Sequence, residues 1–151
     1  MSQPHVLSKT EYEILSEFRY TLRRFMRFSE AAAGELGLTP QQHQALLAIK
    51  GFPGREKVTV GELAERLQIQ HHSAVGLADR LEAQDLIERS PATSDRRKVY
   101  VSLTAHGRSV IDRLSALHQD ELVRLLPQLR LLITRVARLS TRRGRPNNRP
   151  A

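Results

Sequence analysis

The side chains with the clearest chemical potential fall in two short runs. The first, His71 to Gln84, places His72, Ser73, Gly76, Asp79, Arg80 and Ala83 on one side of a helix, with Ala74, Leu77, Ala78 and Leu81 on the other, given about 100° of rotation per residue. The outward side is small and polar rather than densely charged. A helix entering a DNA major groove needs such a face, with little bulk and several hydrogen-bonding groups near its N-terminal end. The second run is Asp95-Arg96-Arg97-Lys98, lying between two alternating apolar segments. An arginine at the tip of a stiff hairpin can enter a minor groove, where negative potential is concentrated. The expected base and phosphate contacts are therefore His72, Ser73, Gly76 and Arg80 in the helix. In the hairpin they are Arg96, Arg97 and Lys98, with Arg97 the groove reader and Asp95 its tether. Gly76 permits close approach, although glycine in mid-helix costs roughly 1 kcal/mol relative to alanine. Asp79 carries the wrong charge for a phosphate neighbour and is expected to orient an arginine.

Bond-making chemistry finds no footing. The sequence has no GxSxG, no glycine-rich phosphate loop, no cysteine, and no paired carboxylates with an obvious cleft, so neither an enzyme nor a bound cofactor is expected. The lack of cysteine also excludes disulfides, thiolate metal sites and thiol redox sensing. His71 and His72 are adjacent and diverge by about 100° on a helix. His43, His106 and His118 stand apart in sequence without HExxH spacing, and no metal site is expected. Arg19, Arg23 and Arg27 recur at i, i+4 and i+8 on one helix face, either solvated or paired with Glu17, Glu30 or a partner chain.

The elements that must hold these groups can be read in order. From about Thr10, Ile14, Leu15, Phe18, Leu22, Phe25 and Met26 build an apolar stripe at helical spacing, ended near Gly34 and Gly37. The stripe is wide enough to pack within the monomer or against a second chain. Thr39-Pro40-Gln41-Gln42 opens a second helix with a capping box and proline at the first position, and the GFPG of residues 51–54 stops it. Lys57 to Val60 is briefly extended. Thr59 and Glu62 then cap a short helix, Gln68-Ile69-Gln70 turns with Ile69 wedged between helices, and the helix of residues 71–84 follows. Leu86–Ser90 and Val99–Leu103 read as a two-stranded hairpin, with Val99, Val101 and Leu103 pointing inward and Pro91 to Lys98 as connection. Thr104 caps a long helix that Pro127 kinks or breaks, and Leu129 to Leu139 continue in a final one. Two helices joined by a tight turn and followed by a basic hairpin make a winged helix-turn-helix.

Composition agrees with one soluble domain: hydrophobic content is 40%, charged content 26%, and no apolar run approaches membrane-spanning length. The start MSQPHVLSK lacks a signal peptide's apolar core, so a cytoplasmic location and no membrane partner are expected. The formal charge of +8 lies mostly in the tail. Arg138, Arg142, Arg143, Arg145 and Arg149 leave only +3 for residues 1–137, so bulk charge alone says little about nucleic acid. Residues 140–151 are expected to form a disordered basic tail that adds nonspecific phosphate attraction.

The stretch SDRRKVYVSLTAHG (94–107) resembles the wing signature of the MarR family of bacterial transcriptional regulators. Asp95, Arg96, Arg97, Leu103, Thr104 and Gly107 match it in register, and HHSAVGLADRLEAQDLIER resembles the family's recognition helix and following strand. The resemblance covers about residues 10–139. It implies a mainly α fold with a small β-hairpin: a winged helix-turn-helix lobe (about 57–103) and dimerisation helices (about 10–34 and 105–139). It also implies a homodimer on a pseudo-palindromic double-stranded operator, usually a repressor. Effectors of such proteins commonly bind between the dimerisation helices and the DNA-binding lobe, and many are aromatic acids or other anions. Arg19 or Arg23 would then match an effector carboxylate, and His43 would line the same cleft. Ala92 departs from the pattern, where the family often has a second Asp in the wing. The alternative is a winged-helix module for DNA or protein contacts without a small-molecule effector.

Overall fold

Capping residues delimit most of the helices. The computed structural model describes residues 6–93, 95 and 97–143, with 140–143 by backbone alone. The helix α1 runs Lys9–Glu35, and α2, Pro40–Lys50, opens on a complete Thr39–Gln42 capping box. Strand β1 (Lys57–Thr59) leads into α3 (Val60–Leu67), α4 (His71–Ala83), β2 (Ile87–Pro91), β3 (Val99–Leu103) and α5 (Ala105–Arg143). The second capping box is also present: the Thr59 hydroxyl accepts the Glu62 N–H, and the Glu62 carboxylate accepts the Thr59 N–H. Burial pushes the Glu62 carboxyl up, but the Thr59 N–H and the Arg55 guanidinium outweigh it and hold the group below its ordinary range.

The hairpin gains a third strand. The sheet order is β1-β3-β2, all antiparallel, with Val58 and Arg89 both opposite Val101. Pairing with β3 satisfies backbone groups that the extended piece at Lys57 would otherwise leave to water. Val101 and Leu103 are buried as the alternation predicts, but Val99 is 40% exposed. It stands opposite Pro91 at the wing end of the ladder, past the buried Val58–Val101 pair. Pro91 belongs to β2, so the wing loop starts at Ala92, whose N–H donates to the Lys98 carbonyl at 2.9 Å.

Two compact units make up the chain, residues 29–118 and residues up to 28 with those from 119 on; the boundaries fall inside α1 and α5. In the first unit, Leu46, Ile49, Leu63, Leu77, Leu81, Ile87, Ile111 and Leu114 are fully buried, each such side chain stabilising by about 1.5–3 kcal/mol. Gly107, in the first turn of α5, donates its N–H to the Thr104 hydroxyl at 3.0 Å, and a Cβ there would stand 1.9 Å from the Leu86 carbonyl oxygen. In the second unit, α1 buries Ile14 and Thr21 while α5 buries Leu125 and Leu132. Leu15, Phe18, Leu22 and Met26 on α1 are exposed, as are Leu122, Leu126, Ile133 and Val136 on α5.

Pro127 neither breaks nor ends α5, which is helical through it and past Leu139 to Arg143. Proline removes the N–H that the Val123 carbonyl would accept. Val123 and Pro127 are both exposed, so water can solvate that carbonyl. Residues 140–143, the start of the expected tail, continue the α5 backbone; residues 144–151 lie outside those described. No helix among the described residues is long and apolar enough to cross a membrane.

Candidate nucleic-acid interface

The turn before α4 sets its direction. Gln68 closes α3 in a left-handed conformation (φ 53°), which lets the Ile69 N–H donate to the Ala64 carbonyl at 3.0 Å. Ile69 is partly buried against the core, the wedge its position predicts. Helix α4 then buries Ala74, Leu77, Ala78 and Leu81 and exposes His72, Ser73, Asp79 and Arg80. Its N-cap, Gln70, makes no side-chain cap, so first-turn amides remain for an anion. Gly76 is half-buried, and a Cβ there would meet only the Arg80 Nη1, at 3.5 Å. The expected helical face is thus assembled as one surface.

The wing is ordered by its own backbone. Asp95 accepts the Arg97 N–H on its side chain and the Lys98 N–H on its carbonyl, both at 3.0 Å. The tether therefore fixes the Arg97 main chain rather than its guanidinium, and the Arg97 and Lys98 side chains are exposed. Arg96 lies outside the described residues. Ala92, the position without the second acid, is buried at 4% exposure, which suits a small apolar group better than a carboxylate.

Asp79 does orient an arginine, and its partner is Arg89 of β2. The Arg89 guanidinium donates to Asp79 at 2.6 Å and to Glu82 at 2.5 Å. The hydrogen bond to Asp79 raises the pKa of Arg89 against the opposing effect of burial. Strand alternation alone gave Arg89 no special weight, because its partners lie on α4. Val75, 37% exposed on α4, is a second residue that periodicity left unassigned.

The expected effector residues fall in two different units. Arg19 and Arg23 are exposed on the part of α1 belonging to the helical unit; His43, on α2, belongs to the other. In the helical unit a cleft of about 550 Å³ is lined by Lys9, Tyr12, Ser16, Gln128 and Arg135 among others, and neither Arg19 nor Arg23 lines it. Among the described residues, no three His, Cys, Asp or Glu side chains group as for a metal ion.

His43 is 3% exposed and meets His118, ring centroids 4.6 Å apart, with Ser29 between them. His118 donates from Nδ1 to the Leu114 carbonyl at 2.6 Å, and its Nε2 lies 2.8 Å from the Ser29 hydroxyl oxygen. Ser29 Oγ in turn lies 3.4 Å from His43 Nδ1. Sequence spacing gave no hint of this pair, since α2 and α5 are brought together only by the fold. Burial, and then the His118 ring, hold the His43 pKa below its ordinary value. The unfolded chain then binds that proton more tightly, so stability is complete above an ordinary imidazole pKa of about 6.5 and falls as pH drops through it. Thermal melts from about pH 7.5 down to about pH 5 should show this loss, and His43→Gln should flatten it. An equal slope in the variant would assign the loss to another group.

Residues 36–98 match the MarR family. The chain is 38% identical over 71 residues to the HTH-type transcriptional repressor MdtR of Bacillus subtilis, covering 47% of this chain and 44% of that one. The chain thus spans under half the length of that relative. In fold it resembles AbsC, a MarR family transcriptional regulator from Streptomyces coelicolor, with TM-score 0.70 and 22% identity over 83% of this chain and 84% of that one. It also resembles an E. coli MarR mutant complexed with operator DNA, with TM-score 0.61 and 23% identity over 79% and 89% of the two chains. The helix-turn-helix and the start of the wing thus match the MarR family in sequence, and the fold resembles that of solved MarR family regulators.

Proposed function

We propose that the chain is a DNA-binding transcriptional regulator, acting as a homodimeric repressor on a pseudo-palindromic operator and released by a small effector. The observation that carries this reading is the pairing of a small polar helical face (His72, Ser73, Gly76, Arg80) with a wing that presents Arg97 and Lys98. The operator complex of the MarR mutant and the repressor name of MdtR support it. In a two-fold dimer the two α4 helices enter successive major grooves about one turn of DNA apart. An effector that favours another spacing needs only a few kcal/mol of differential binding to empty the operator. An aromatic or anionic molecule fits this role, with a carboxylate for Arg19 or Arg23 to meet.

Selection from random duplexes, followed by titration at fixed salt, tests the reading. The chain should enrich an inverted repeat. Arg97→Ala should weaken binding by about 1–3 kcal/mol with the melting temperature unchanged. Gly76→Ala should stabilise α4 by up to about 1 kcal/mol yet weaken operator binding, because the new methyl stands on the approaching face. Wild-type affinity in both variants would remove the helix and wing from the interface.

A further inference from the structure

Resting on the DNA-binding reading, we infer that Arg89 is a positioning residue that masks the two carboxylates of α4 and fixes the wing strand to the recognition helix. Along its length α4 carries Asp79 and Glu82 against a single arginine, Arg80. Asp79 belongs to the outward face, and Glu82 follows one turn on, with side chains 60% and 43% exposed. Left alone, two carboxylates on this helix would repel the phosphates beside any groove it entered. One guanidinium answers both. Arg89 reaches across from β2, bonds Asp79 with Nη2 and Glu82 with Nη1, and is itself only 26% exposed. Its planar fork spans two carboxylates one helical turn apart, a geometry that the point charge of lysine does not reproduce.

The clamp is also mechanical. Arg89 sits opposite Val101 in the ladder, and Val101 is fully buried, so the backbone bearing the guanidinium is set by the core. The bonds to Asp79 and Glu82 therefore hold β2, and the loop that follows it, at a fixed offset from α4. Arg89 thus acts through the helix and the wing, the two surfaces that the DNA-binding reading sets against the duplex.

Affinity for a mixed-sequence DNA duplex, titrated over a range of salt, separates masking from simple bracing. Arg89→Met should bind about tenfold more weakly at low salt, with the difference closing as salt rises. Asp79→Asn with Glu82→Gln, Arg89 intact, should bind about tenfold more tightly than wild type, because a guanidinium then faces the duplex unopposed. The triple variant should recover at least wild-type affinity. Wild-type binding by Arg89→Met, weaker binding by the Asp79/Glu82 pair, or no recovery in the triple variant would each overturn the masking role. A wild-type chain that binds no duplex at any salt would instead overturn the DNA-binding reading, and this inference with it.

Discussion

Gly107→Ala should destabilise the winged lobe by about 3 kcal/mol or more, at or beyond the upper end for forced overpacking. The added methyl would lie 1.9 Å from the Leu86 carbonyl oxygen and 2.9 Å from its carbon. Both are backbone atoms, so no rotamer change relieves the clash. That same carbonyl accepts the Thr104 N–H at 3.2 Å, and the Thr104 hydroxyl both accepts from Gly107 and donates to the Asp85 carbonyl at 2.5 Å. Moving α5 away would break the joint between the end of α4, the start of β2 and the helix after the wing. A urea titration of Gly107→Ala beside Gly76→Ala makes the comparison, since the Gly76 methyl meets only a flexible arginine terminus. Equal midpoints for the two variants would show that the Leu86–Gly107 approach is not tight in solution.

Phe18→Glu with Leu22→Glu should dissociate the proposed dimer. Each side chain is 43% exposed in the isolated chain, so the change removes little packing within the unit. With Leu15 and Met26 they form a row along α1, matched in kind by Leu122, Leu126, Ile133 and Val136 on α5. Apolar area of this extent calls for a covering partner, and a second copy offers the same rows under two-fold symmetry. A carboxylate buried there without a counter-ion costs about 3–5 kcal/mol, which weakens self-association at least a hundredfold. Sedimentation at micromolar concentration should show a dimer for the wild type and a monomer for the variant. Operator binding should fall with it, because each half-site alone contributes only part of the affinity. A wild-type chain that sediments as a monomer would remove the dimer from the reading.

Much of the fold was legible because local chemistry decides it. The Thr39–Gln42 and Thr59–Glu62 spacings state their helix starts outright, and both boxes form. The two faces of α4 follow from periodicity, and Asp95 tethers the wing where a short acid before arginines would. Features set by distant partners were not legible. The third strand depends on Lys57–Thr59 finding β3, the His43–His118 contact on α2 meeting α5, and the Arg89 clamp on β2 meeting α4. Pro127 shows the converse, a strong local breaker overridden because the exposed carbonyl it frees has water at hand.

The strand order β1-β3-β2 also bears on how the chain folds. Adjacent in sequence, β2 and β3 can zip together as a hairpin across a short loop. By contrast, β1 joins β3 only after α3, α4 and β2 have been threaded between them, so its pairing closes a loop around the whole helix-turn-helix. Closing that longer loop carries the larger entropy penalty and is the later step. Once the Val58–Val101 contact is made, the helix-turn-helix is bracketed at both ends by one sheet and opens only when β1 leaves. Slow amide exchange in α3 and α4 should therefore track that of β1, as one cooperative unit.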